Sequence, residues 1–507
     1  MRITNSMMVS QFLSDANSSL NRVSKYQNQV DSTKKITRIS DDPQATITAL
    51  KARNRLSNLS LYQSNIDTAN SYLSETESAA GELDDILQSA YEQIVSAQSG
   101  SKSDEEMAVI AQEVTNLRDE VLSIGNTSVG SSYIFGGYNY TGSTDGLTKT
   151  SPFSVQDVTG DLEYNGINVS RFAWQEEFSS SADLMTDFGA SILAASANFS
   201  GSLTDVNALN YAEEALNSSS SLLSSGDTAM YAAERFGIDS GSAEYQAFSD
   251  FCENFSDLHD ELELECSKSL AGDYILTSDP AIKLTGDGEV DYDYYAENNI
   301  SVMTDEEYDN CFSQTRCQTI LTDMSALLEE QYDAFGNPLG SDIGNTIQQL
   351  ADVMTIPADE QSALQDEMEK QSELQIGTSQ TVEFAYTGID ILGSGSDNIY
   401  HILDKCVAML NGDMDSSGLS AMITTIQDKQ SDVLTFQTKI GATQNRLSLI
   451  DARYDNSEIN YTEMKSDAED VDMAEAITNF TTAQTVYSAA LAAGAELIQT
   501  SLIDFLS

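Results

Sequence analysis

Apolar and small residues recur at alternating spacings of three and four along much of the N-terminal part of the chain. One uninterrupted run extends from Leu59 to Ala97, and a second extends from Met107 to Ile124. Such spacing places the residues on one stripe of an α-helix and is the heptad pattern of coiled coils. Ser103 and the three acids that follow it form a typical helix start between the two runs. We therefore predict two long helices that form an antiparallel hairpin.

The same stripe recurs at both ends of the chain and predicts long helices there. Near the N-terminus its members are Val9, Phe12, Ala16, Leu20, Val23 and Val30. Near the C-terminus its members are Met473, Ile477, Phe480, Gln484, Tyr487, Leu491, Gly494, Ile498, Ser501 and Phe505. A further stripe upstream comprises Ile423, Ile426, Val433, Ile440, Leu447 and Ile450. The predicted fold is mainly α, with long coiled-coil-like helices from both termini packed together.

The two ends of the chain have opposite net charge. Residues 1–60 carry nine basic and four acidic side chains, whereas residues 458–507 carry one basic and nine acidic side chains. Opposite charges on helices that share a heptad stripe favour pairing, because like charges across such a stripe repel each other. We predict that the N-terminal and C-terminal helices pair. The alternative is that each charged face is merely solvated.

The stretch "KKITRISDDPQAT", residues 34–46, interrupts the N-terminal helical pattern. A basic cluster of Lys34, Lys35 and Arg38 is followed by the pair Asp42 and Pro43. An aspartate can accept hydrogen bonds from the free N–H groups of a first helical turn, and proline has no N–H to satisfy. We predict a break from Ile39 to Asp41 and a new helix after it, so that the two helices point in different directions. Taken alone, the stretch is explained better by an ordinary turn.

The middle of the chain differs from its ends in composition. Residues 151–400 carry 47 acidic and six basic side chains and hold four of the five prolines. Strand-like runs, "GDLEYNGINVSRFAW" and "QTVEFAYTGIDILG", are mixed with helical stretches at residues 304–334 and 359–374. We interpret this part as an inserted, outward-facing α+β region of one or two subdomains. The predicted domains are 1–42 with 460–507, 43–150 with 396–459, and the insert 151–395.

The charge of the whole chain excludes two classes of partner. With 81 acidic and 24 basic residues the formal net charge is −57. A nucleic-acid backbone or an anionic membrane surface would repel such a protein, so we predict neither as a partner.

No window approaches the roughly 18 uninterrupted apolar residues of a membrane helix. The first twelve residues contain no apolar run of a secretory signal, so we expect no cleaved signal peptide.

The sequence contains no pattern typical of an active site or a metal site. His259 continues as "HDELE" rather than H-E-x-x-H, and the chain has no Walker lysine loop and no G-x-S-x-G. Cys252, His259 and Cys266 lie seven residues apart, which on a helix separates neighbours by about 10 Å, too far for one metal ion. The odd set of five cysteines lacks a C-x-x-C pair and favours buried thiols. We predict no catalytic, cofactor or metal site, and no enzyme.

Five segments, occurring in order along the chain, resemble the flagellin and hook-associated family. They are "MRITNSMM" at the start, "KKITRISDDP" near residue 40, "SSYIFGGY" at 131–138, "IGATQNRLSLIDA" at 440–452 and "ALAAGAELIQTSLIDFL" at the end. The resemblance covers roughly residues 1–150 and 375–507. Within the family, "SYIFGGY" and "QTSLIDFLS" look more like the hook–filament junction members. The chain also has "SDDP" at residues 40–43, where flagellins typically carry an alanine-rich run.

This resemblance implies a structural role in the bacterial flagellum, as an adaptor that joins the hook region to the flagellin filament. The implied partners are flagellin, the neighbouring hook-associated protein 1, further copies of the chain in a ring, and a cytoplasmic export chaperone. The implied location is extracellular, after export by the flagellar type III secretion system. Two alternatives stay open: the chain is flagellin itself, or its insert acts as an adhesin.

The helical stripes, the charge pattern and the resemblance together predict an assembly interface. Its side chains come from both ends of the chain and from the interruption near residue 40. The predicted interface residues are Val9, Phe12, Leu20, Val23, Lys34, Lys35, Arg38, Asp42, Pro43, Ile477, Phe480, Tyr487, Leu491, Ile498, Leu502 and Phe505.

Overall fold

The structure is a computed structural model in which helices dominate. It describes residues 5–99, 102–130, 132–137, 150–156, 160–199, 204–270, 274–276, 283, 290, 292–297, 300–304, 307, 311–329, 342–369 and 372–506. The described helices are α1 (Asn5–Ser32), α2 (Pro43–Gln98), α3 (Asp104–Gly125), α4 (Val169–Asn198), α5 (Asp205–Phe236), α6 (Ala243–Cys266), α7 (Tyr292–Glu297), α8 (Gln314–Leu328), α9 (Ile343–Val353), α10 (Ala358–Glu369), α11 (Gly388–Leu392), α12 (Ile399–Asn411), α13 (Leu419–Glu469) and α14 (Met473–Leu506).

The strands form small sheets between the helices. They are β1 (Ser128–Val129), β2 (Ser132–Tyr133), β3 (Phe153–Val155), β4 (Leu162–Tyr164), β5 (Ile167–Asn168), β6 (Tyr274–Leu276), β7 (Ser301–Met303), β8 (Ser372–Gly377) and β9 (Gln380–Ala385). Strands β3, β4 and β5 form an antiparallel sheet, β6 and β7 are parallel, and β1–β2 and β8–β9 are two-stranded. The predicted fold class, mainly α with an inserted α+β region, is confirmed.

The chain divides into two compact units. The first comprises Met1–Ser71, Glu373–Phe384 and Gly441–Ser507, and the second comprises Tyr72–Ser372 and Ala385–Ile440. The predicted domain boundaries are not tested by this division and stay a prediction.

In the first unit, the hairpin formed by β8 and β9 is attached to the two long helices α2 and α13. The hydroxyl of Tyr454 donates a hydrogen bond to the carbonyl oxygen of Ile376, and Nδ2 of Asn65 donates to the carbonyl oxygen of Gln375 at 2.6 Å. The rings of Tyr62 and Tyr454 stack with centroids 6.0 Å apart. Strand carbonyls that would otherwise lack partners are thereby satisfied by side chains of both helices.

The predicted stripe of α2 is buried along its length. In the second unit, Leu73, Leu83, Leu87 and Ile94 are fully buried within one hydrophobic core. This core also contains apolar residues of α3, α12 and the sheet of β3 and β4. The predicted start of α3 is present as a capping box, in which Ser103 and Glu106 satisfy each other's backbone N–H groups.

A second core lies within the insert, between helices α4, α5, α6, α8 and α9. Alanines along α5 are fully buried there, and the small side chains allow α4 and α5 to pack closely. Large aromatic residues of α4 and α6 fill the remaining space. The fully buried aromatic residues include Trp174, Phe178, Phe248 and Phe255.

Several predicted element boundaries within the insert are wrong. The run "GDLEYNGINVSRFAW" contributes the short strands β4 and β5, but its last residues begin the 30-residue helix α4. Asn168 caps that helix by accepting a hydrogen bond from the N–H of Arg171 at 3.0 Å. The helix predicted at 359–374 ends earlier, because residues from Ser372 onward form β8. Strong local capping therefore decides where these elements begin.

Gly388 gives a test of the core formed around β3 and β4. A Cβ atom at this position would overlap the ring of Phe153 and lie 2.9 Å from Cε2 of Tyr164. We expect Gly388→Ala to lower the free energy of unfolding by about 1–3 kcal/mol because of this overlap. Gly81→Ala is the matched control, because a Cβ on α2 would meet only Nε2 of Gln437 at 3.5 Å. Urea unfolding of both variants would measure the difference, and equal stabilities would contradict the packing described here.

Candidate assembly interface

The first helix break, at residues 33–42, lies between α1 and α2. Thr33 adopts a left-handed conformation with φ of 56°, which is rare for a β-branched residue and turns the chain away from α1. Further along, Oδ2 of Asp41 accepts hydrogen bonds from the backbone N–H groups of Thr37 and Arg38, at 3.2 and 2.9 Å. The bond from Arg38 holds the pKa of Asp41 below its ordinary value. The break is thus an ordered turn.

Asp42 and Pro43 have the structural roles that the sequence predicts. Oδ1 of Asp42 accepts hydrogen bonds from the backbone N–H groups of Gln44 and Ala45, at 3.1 and 3.0 Å, and Pro43 is the first residue of α2. The aspartate therefore caps the helix. The break itself is longer than the predicted Ile39–Asp41, because α1 already ends at Ser32.

A second helix break, at residues 470–472, separates α13 from α14. Oδ1 of Asp472 accepts hydrogen bonds from the backbone N–H groups of Ala474 and Glu475, at 2.9 and 3.3 Å, and so caps α14. The separate stripes on either side predict two helices here, with a domain boundary at residue 460, but the residues of the break itself were not predicted. The available signal was Asp472 followed three residues later by Glu475, the spacing of a capping box.

The two breaks pair with each other through their backbones. Lys34 and Asp470 form an antiparallel β-bridge. The N–H of Lys35 donates a hydrogen bond to the carbonyl oxygen of Glu469 at 2.6 Å. The N–H of Val471 donates one to the carbonyl oxygen of Thr33 at 3.1 Å. Backbone groups that each helix end leaves unsatisfied therefore find partners in the other break. This pairing fixes the register of the N-terminal chain against the C-terminal chain.

A buried carboxylate lies at the centre of the paired breaks. The side chain of Glu469 is 4% exposed. Its Oε1 is 3.0 Å from Nζ of Lys34, and its Oε2 forms an ion pair with the guanidinium of Arg53. Nζ of Lys34 also lies 2.7 Å from Oδ1 of Asp470. Two cations from the N-terminal region thus hold two acids from the C-terminal region.

The ion pairs shift the pKa values of their members. Burial alone would raise the pKa of Glu469, but hydrogen bonds from Lys34 and Arg53 outweigh it and hold that pKa below its ordinary value of 4.5. The hydrogen bond from Lys34 likewise lowers the pKa of Asp470 from 3.8. The hydrogen bonds to Asp470 and then to Glu469 raise the pKa of Lys34 above 10.5. All three shifts favour the charged forms that make the contact.

The structure distinguishes the members of the predicted basic cluster. Lys34 forms ion pairs with the acidic C-terminal region, whereas Lys35 and Arg38 are exposed and take part through their backbone N–H groups. The structure adds Arg53, ten residues into α2, which the sequence analysis did not single out. Its partner is 416 residues away in the sequence, and no local pattern indicates such a pair.

Helices α1 and α14 pack against each other along a narrow stripe. Phe12 lies directly over Gly494, where any Cβ atom would overlap the phenyl ring. Next to the break, Nε2 of the buried Gln29 donates a hydrogen bond to the carbonyl oxygen of Lys35 at 2.8 Å. Gly494 therefore allows a close approach of the two helices, and Gln29 joins α1 to the break.

This helix pair leaves much of its apolar surface uncovered. Of the predicted interface side chains, Val9, Phe12, Val23, Phe480 and Tyr487 are partly buried, while Leu20, Ile477 and Leu491 are about half exposed. The side chains of Ile498, Leu502 and Phe505 lie outside the described residues. One helix can cover only one stripe of its neighbour. The further exposed apolar side chains on the two helices are Met7, Met8, Leu13, Met473 and Val486.

Two open grooves of opposite charge lie on the first unit. One, of about 550 Å³, is lined by Asp42, Glu463, Met464 and Asp467, among others. The other, of about 640 Å³, lies nearer the start of α13 and is lined by Arg446, Leu449 and Arg453, among others. We call them the acidic groove and the basic groove. Both combine charge with exposed apolar surface.

Other candidate chemistry in the described residues is limited. On α6, His259, Asp260 and Glu263 have possible ligand atoms within 4.8 Å of one another. Nδ1 of His259 is 2.7 Å from Oγ of Ser219, and the two carboxylates are exposed. Exposed acids on adjacent helical turns commonly carry no metal, so this group alone does not define a metal site.

None of the helices in the described ranges combines the length and the apolar composition needed to cross a lipid bilayer.

Both ends of the chain match family models of flagellin. Residues 3–140 match the bacterial flagellin N-terminal helical region, and residues 423–506 match the bacterial flagellin C-terminal helical region. The matched residues contain both helix breaks and all of α14 as far as Leu506, so the paired breaks described above lie within the parts of the chain that are similar to flagellin. Neither match reaches residues 141–422.

Individual flagellar proteins are also similar to part of this chain. The chain is 32% identical over 157 residues to flagellar hook-associated protein 3 of Escherichia coli (strain K12), covering 31% of this chain and 47% of the relative. It is 30% identical over 154 residues to flagellar hook-associated protein 3 of Salmonella typhimurium, covering 30% and 46%. The chain therefore spans about half the length of the curated relatives that it matches. The names are those of flagellar proteins, which supports the prediction that the chain is not an enzyme.

One solved structure also overlaps much of the chain. It belongs to a Vibrio parahaemolyticus protein described as flagellar hook-associated, and it covers 85% of this chain and 100% of its own length at 13% identity, with a TM-score of 0.39. A TM-score of that size does not establish a shared fold.

The buried carboxylate predicts how the paired breaks depend on pH. The pKa values of Glu469 and Asp470 are lowered in the folded protein. The two carboxylates therefore contribute fully to the stability of the paired breaks at pH values above their ordinary pKa values of 4.5 and 3.8. This stabilisation is lost as the pH falls through their lower, folded-state pKa values. We expect the amides of Lys35 and Val471 to lose hydrogen-exchange protection below about pH 4. The raised pKa of Lys34 keeps its contribution intact up to at least pH 10.5.

Two variants at the end of α13 separate this effect from general acid unfolding. Glu469→Gln should reduce protection of the same amides by about 1 kcal/mol at pH 7, a modest value because Lys34 and Arg53 are partly solvated. Asp467→Asn, on the exposed side of the same turn, should leave protection unchanged. Equal protection in the two variants would show that the carboxylate does not stabilise the paired breaks.

Proposed function

We propose that this protein is a structural component of the bacterial flagellum and, more specifically, an adaptor that joins the hook region to the flagellin filament. The observation that carries the proposal is the pairing of the two helix breaks within regions that match the flagellin terminal regions. This pairing presents α1 and α14 as one helical pair with an uncovered apolar surface. A helical pair of this kind is suited to packing against helices of other subunits.

The uncovered surface is the first reason for assigning an assembly role. Met7 and Leu13 of α1 are 62% and 53% exposed, and Ile477 of α14 is 48% exposed. Apolar side chains repeated along both helices favour burial against further helices, and two isolated helices supply little stability by themselves. In this proposal, α1 and α14 complete their packing against the same helices of neighbouring copies, of flagellin and of the hook-associated protein 1.

The two grooves give self-association a specific geometry. Because the acidic groove and the basic groove are different surfaces of one unit, the pairing of one copy's acidic surface with the next copy's basic surface is heterologous. Such head-to-tail contacts generate rings when the rotation closes. Opposite charge around apolar side chains at Met464 and Leu449 favours this pairing over a like-with-like contact. We infer that copies of the chain associate laterally in a ring.

The acidic insert fits the outside of such an assembly. Residues 151–400 carry 47 acidic and six basic side chains, and inserts of neighbouring copies repel each other most when they are crowded together. An outward position increases the distance between them. This position also suits the alternative in which the insert binds a surface as an adhesin. No described site on the insert favours that alternative over a spacer role.

The route to the outside is proposed on the basis of the family. A subunit of the external flagellum reaches its place through the flagellar type III secretion system, escorted in the cytoplasm by an export chaperone that binds the C-terminal region. The exposed apolar side chains of α14 are the surface that such a chaperone would cover before assembly.

Deletion of the gene distinguishes a function as an adaptor from a function as the filament subunit. We expect a deletion strain to be non-motile and to release flagellin monomers into the medium, because filament subunits are made and exported but have nothing to attach to. Immunoblots of the culture supernatant and electron microscopy of the cells would measure this. A plasmid copy of the gene should restore filaments.

Two outcomes would give a different function. A supernatant without any flagellin, together with purified protein that polymerises into filaments alone, would identify the chain as the filament subunit. A deletion strain that is fully motile but fails to attach to a surface would support the adhesin role, and removal of residues 180–370 should then reproduce that phenotype.

A further inference from the structure

Two cysteines of the insert meet where α6 ends and α8 begins. Cys266 is the last residue of α6, and Cys317 lies in the first turn of α8. Interaction with the other thiol is the largest influence on the pKa of each of them. Spacing in the sequence gives no indication of this pair, because the two residues are separated by about fifty others.

The backbone around the two thiols is held in place by a second buried carboxylate. Glu265, next to Cys266, is buried and accepts a hydrogen bond from the N–H of Ser313 at 2.7 Å. Its Oε2 also accepts from Nε of Arg316, next to Cys317, at 3.0 Å and from Nζ of Lys268 at 2.7 Å. The segment that leads into Cys317 is therefore attached to the end of α6 beside Cys266.

The backbone of the two segments is also joined directly. The N–H of Phe312 donates a hydrogen bond to the carbonyl oxygen of Ser269 at 3.1 Å. Together with the contacts of Glu265, this bond keeps the end of α6 beside the start of α8. A disulfide between the two cysteines would therefore join chain segments that already lie side by side.

The environments of the two thiols differ in a way that suits thiol–disulfide exchange. Cys266 is partly exposed and Cys317 is fully buried. The hydrogen bond from Cys317 lowers the pKa of Cys266, whereas the same bond and burial raise the pKa of Cys317. A reachable thiol that ionises easily beside a protected thiol is the arrangement of an attacking and a resolving cysteine.

We propose that Cys266 and Cys317 form an intramolecular disulfide when the protein meets a small-molecule disulfide such as oxidised glutathione. The bond would close a loop that runs from the end of α6 to the first turn of α8. Cross-linking such a loop disfavours the unfolded chain and so stabilises the insert.

The reaction balances in two exchange steps. The Cys266 thiolate attacks one sulfur of oxidised glutathione, forms a mixed disulfide and expels one glutathione thiolate. Cys317 loses its proton to water and attacks the Cys266 sulfur, which forms the protein disulfide and expels the second glutathione thiolate. Two protein thiols are oxidised, and one glutathione disulfide is reduced to two molecules of glutathione.

The other three cysteines are less suited than the partly exposed Cys266 to the first, attacking role, because each of them is buried. Cys252 is buried, and burial raises the pKa of its thiol to about 12. Cys406 is buried, and burial raises its pKa to about 12 as well. Cys311 is buried, and its Sγ lies 3.5 Å from the carbonyl oxygen of Glu307. We therefore expect only two of the five thiols to be lost on oxidation.

The test uses the purified full-length chain, first fully reduced and then incubated with oxidised glutathione at neutral pH. After alkylation, the intact mass should show three alkylated cysteines and the loss of two hydrogen atoms. Tryptic mapping should join the peptide 236–268 to the peptide 317–370, because cleavage after Arg316 separates Cys317 from Cys311. Cys266→Ser and Cys317→Ser should abolish the cross-link. Cys252→Ala should retain the cross-link. This result would show that Cys252, the other cysteine of peptide 236–268, does not form the bond.

Three results would overturn the proposal. Five alkylated cysteines in the wild-type chain after oxidation would show that the pair does not react. A glutathione adduct that persists on Cys266 would show that Cys317 cannot resolve it. A cross-link mapped to Cys311 would assign the bond to a different pair. Each of these results comes from the wild-type chain alone, so none depends on the folding of a variant.

Discussion

The buried carboxylate of Glu469 joins the two places at which the terminal helices are interrupted. A carboxylate that is almost fully removed from water is tolerated only when it is paired and hydrogen-bonded, and here Lys34 and Arg53 provide the pairing. Lys34 lies within the first break, Arg53 lies in the helix that follows it, and the carboxylate ends the helix before the second break. A change in the conformation of either break would separate the carboxylate of Glu469 from its cationic partners. The direction of α1 is therefore coupled to the direction of α14.

The rest of the assembly surface depends on that coupling. Contact between α1 and α14 is narrow, with Phe12 over Gly494 and with polar residues such as Gln29 among the buried positions. Such a contact is too sparse to orient two helices by hydrophobic packing alone. The ion pairs and the short backbone bridge supply the orientation and leave the apolar side chains uncovered, as the proposed assembly with other subunits requires. Strong intrachain packing would have the opposite effect, because it would cover the surface that assembly requires.

Sequence patterns predicted the parts of this arrangement that are determined locally. The stripe of α2 from Leu59 to Ala97 is buried because every member falls on one face of a single uninterrupted helix. Asp42 and Pro43 start α2 because capping needs only neighbouring residues. The pairing of Arg53 with Glu469 was not predictable, since nothing in either local sequence specifies a partner more than four hundred residues away. The break at residues 470–472 also carries a local signal in Asp472, but the two separate stripes of α13 and α14 indicated only that a boundary lies between Ile450 and Met473.

Local sequence patterns predict even less of the packing within the insert. Its helices α4 and α5 pack through serine, alanine and glycine positions, whose weak hydrophobicity gives no clear stripe in the sequence. The proximity of Cys266 to Cys317 likewise follows from tertiary packing around Glu265 and not from cysteine spacing. Ser103 marked a helix start correctly in the sequence, whereas Asn168, which caps α4 in the structure, lies in a run that the sequence pattern assigned to a strand.

The central claim is that the ion pair between the two breaks, and not the general basicity of the N-terminal region, positions the terminal helices for assembly. Lys34 and Lys35 are adjacent and carry the same charge, but only Lys34 contacts Glu469 and Asp470 through its side chain. The most direct measurement compares Lys34→Glu with Lys35→Glu in a gene-deletion strain and scores the fraction of cells that retain filaments. The account predicts that Lys34→Glu loses most filaments, whereas Lys35→Glu retains them at nearly the wild-type level. Equal retention in the two strains would contradict it.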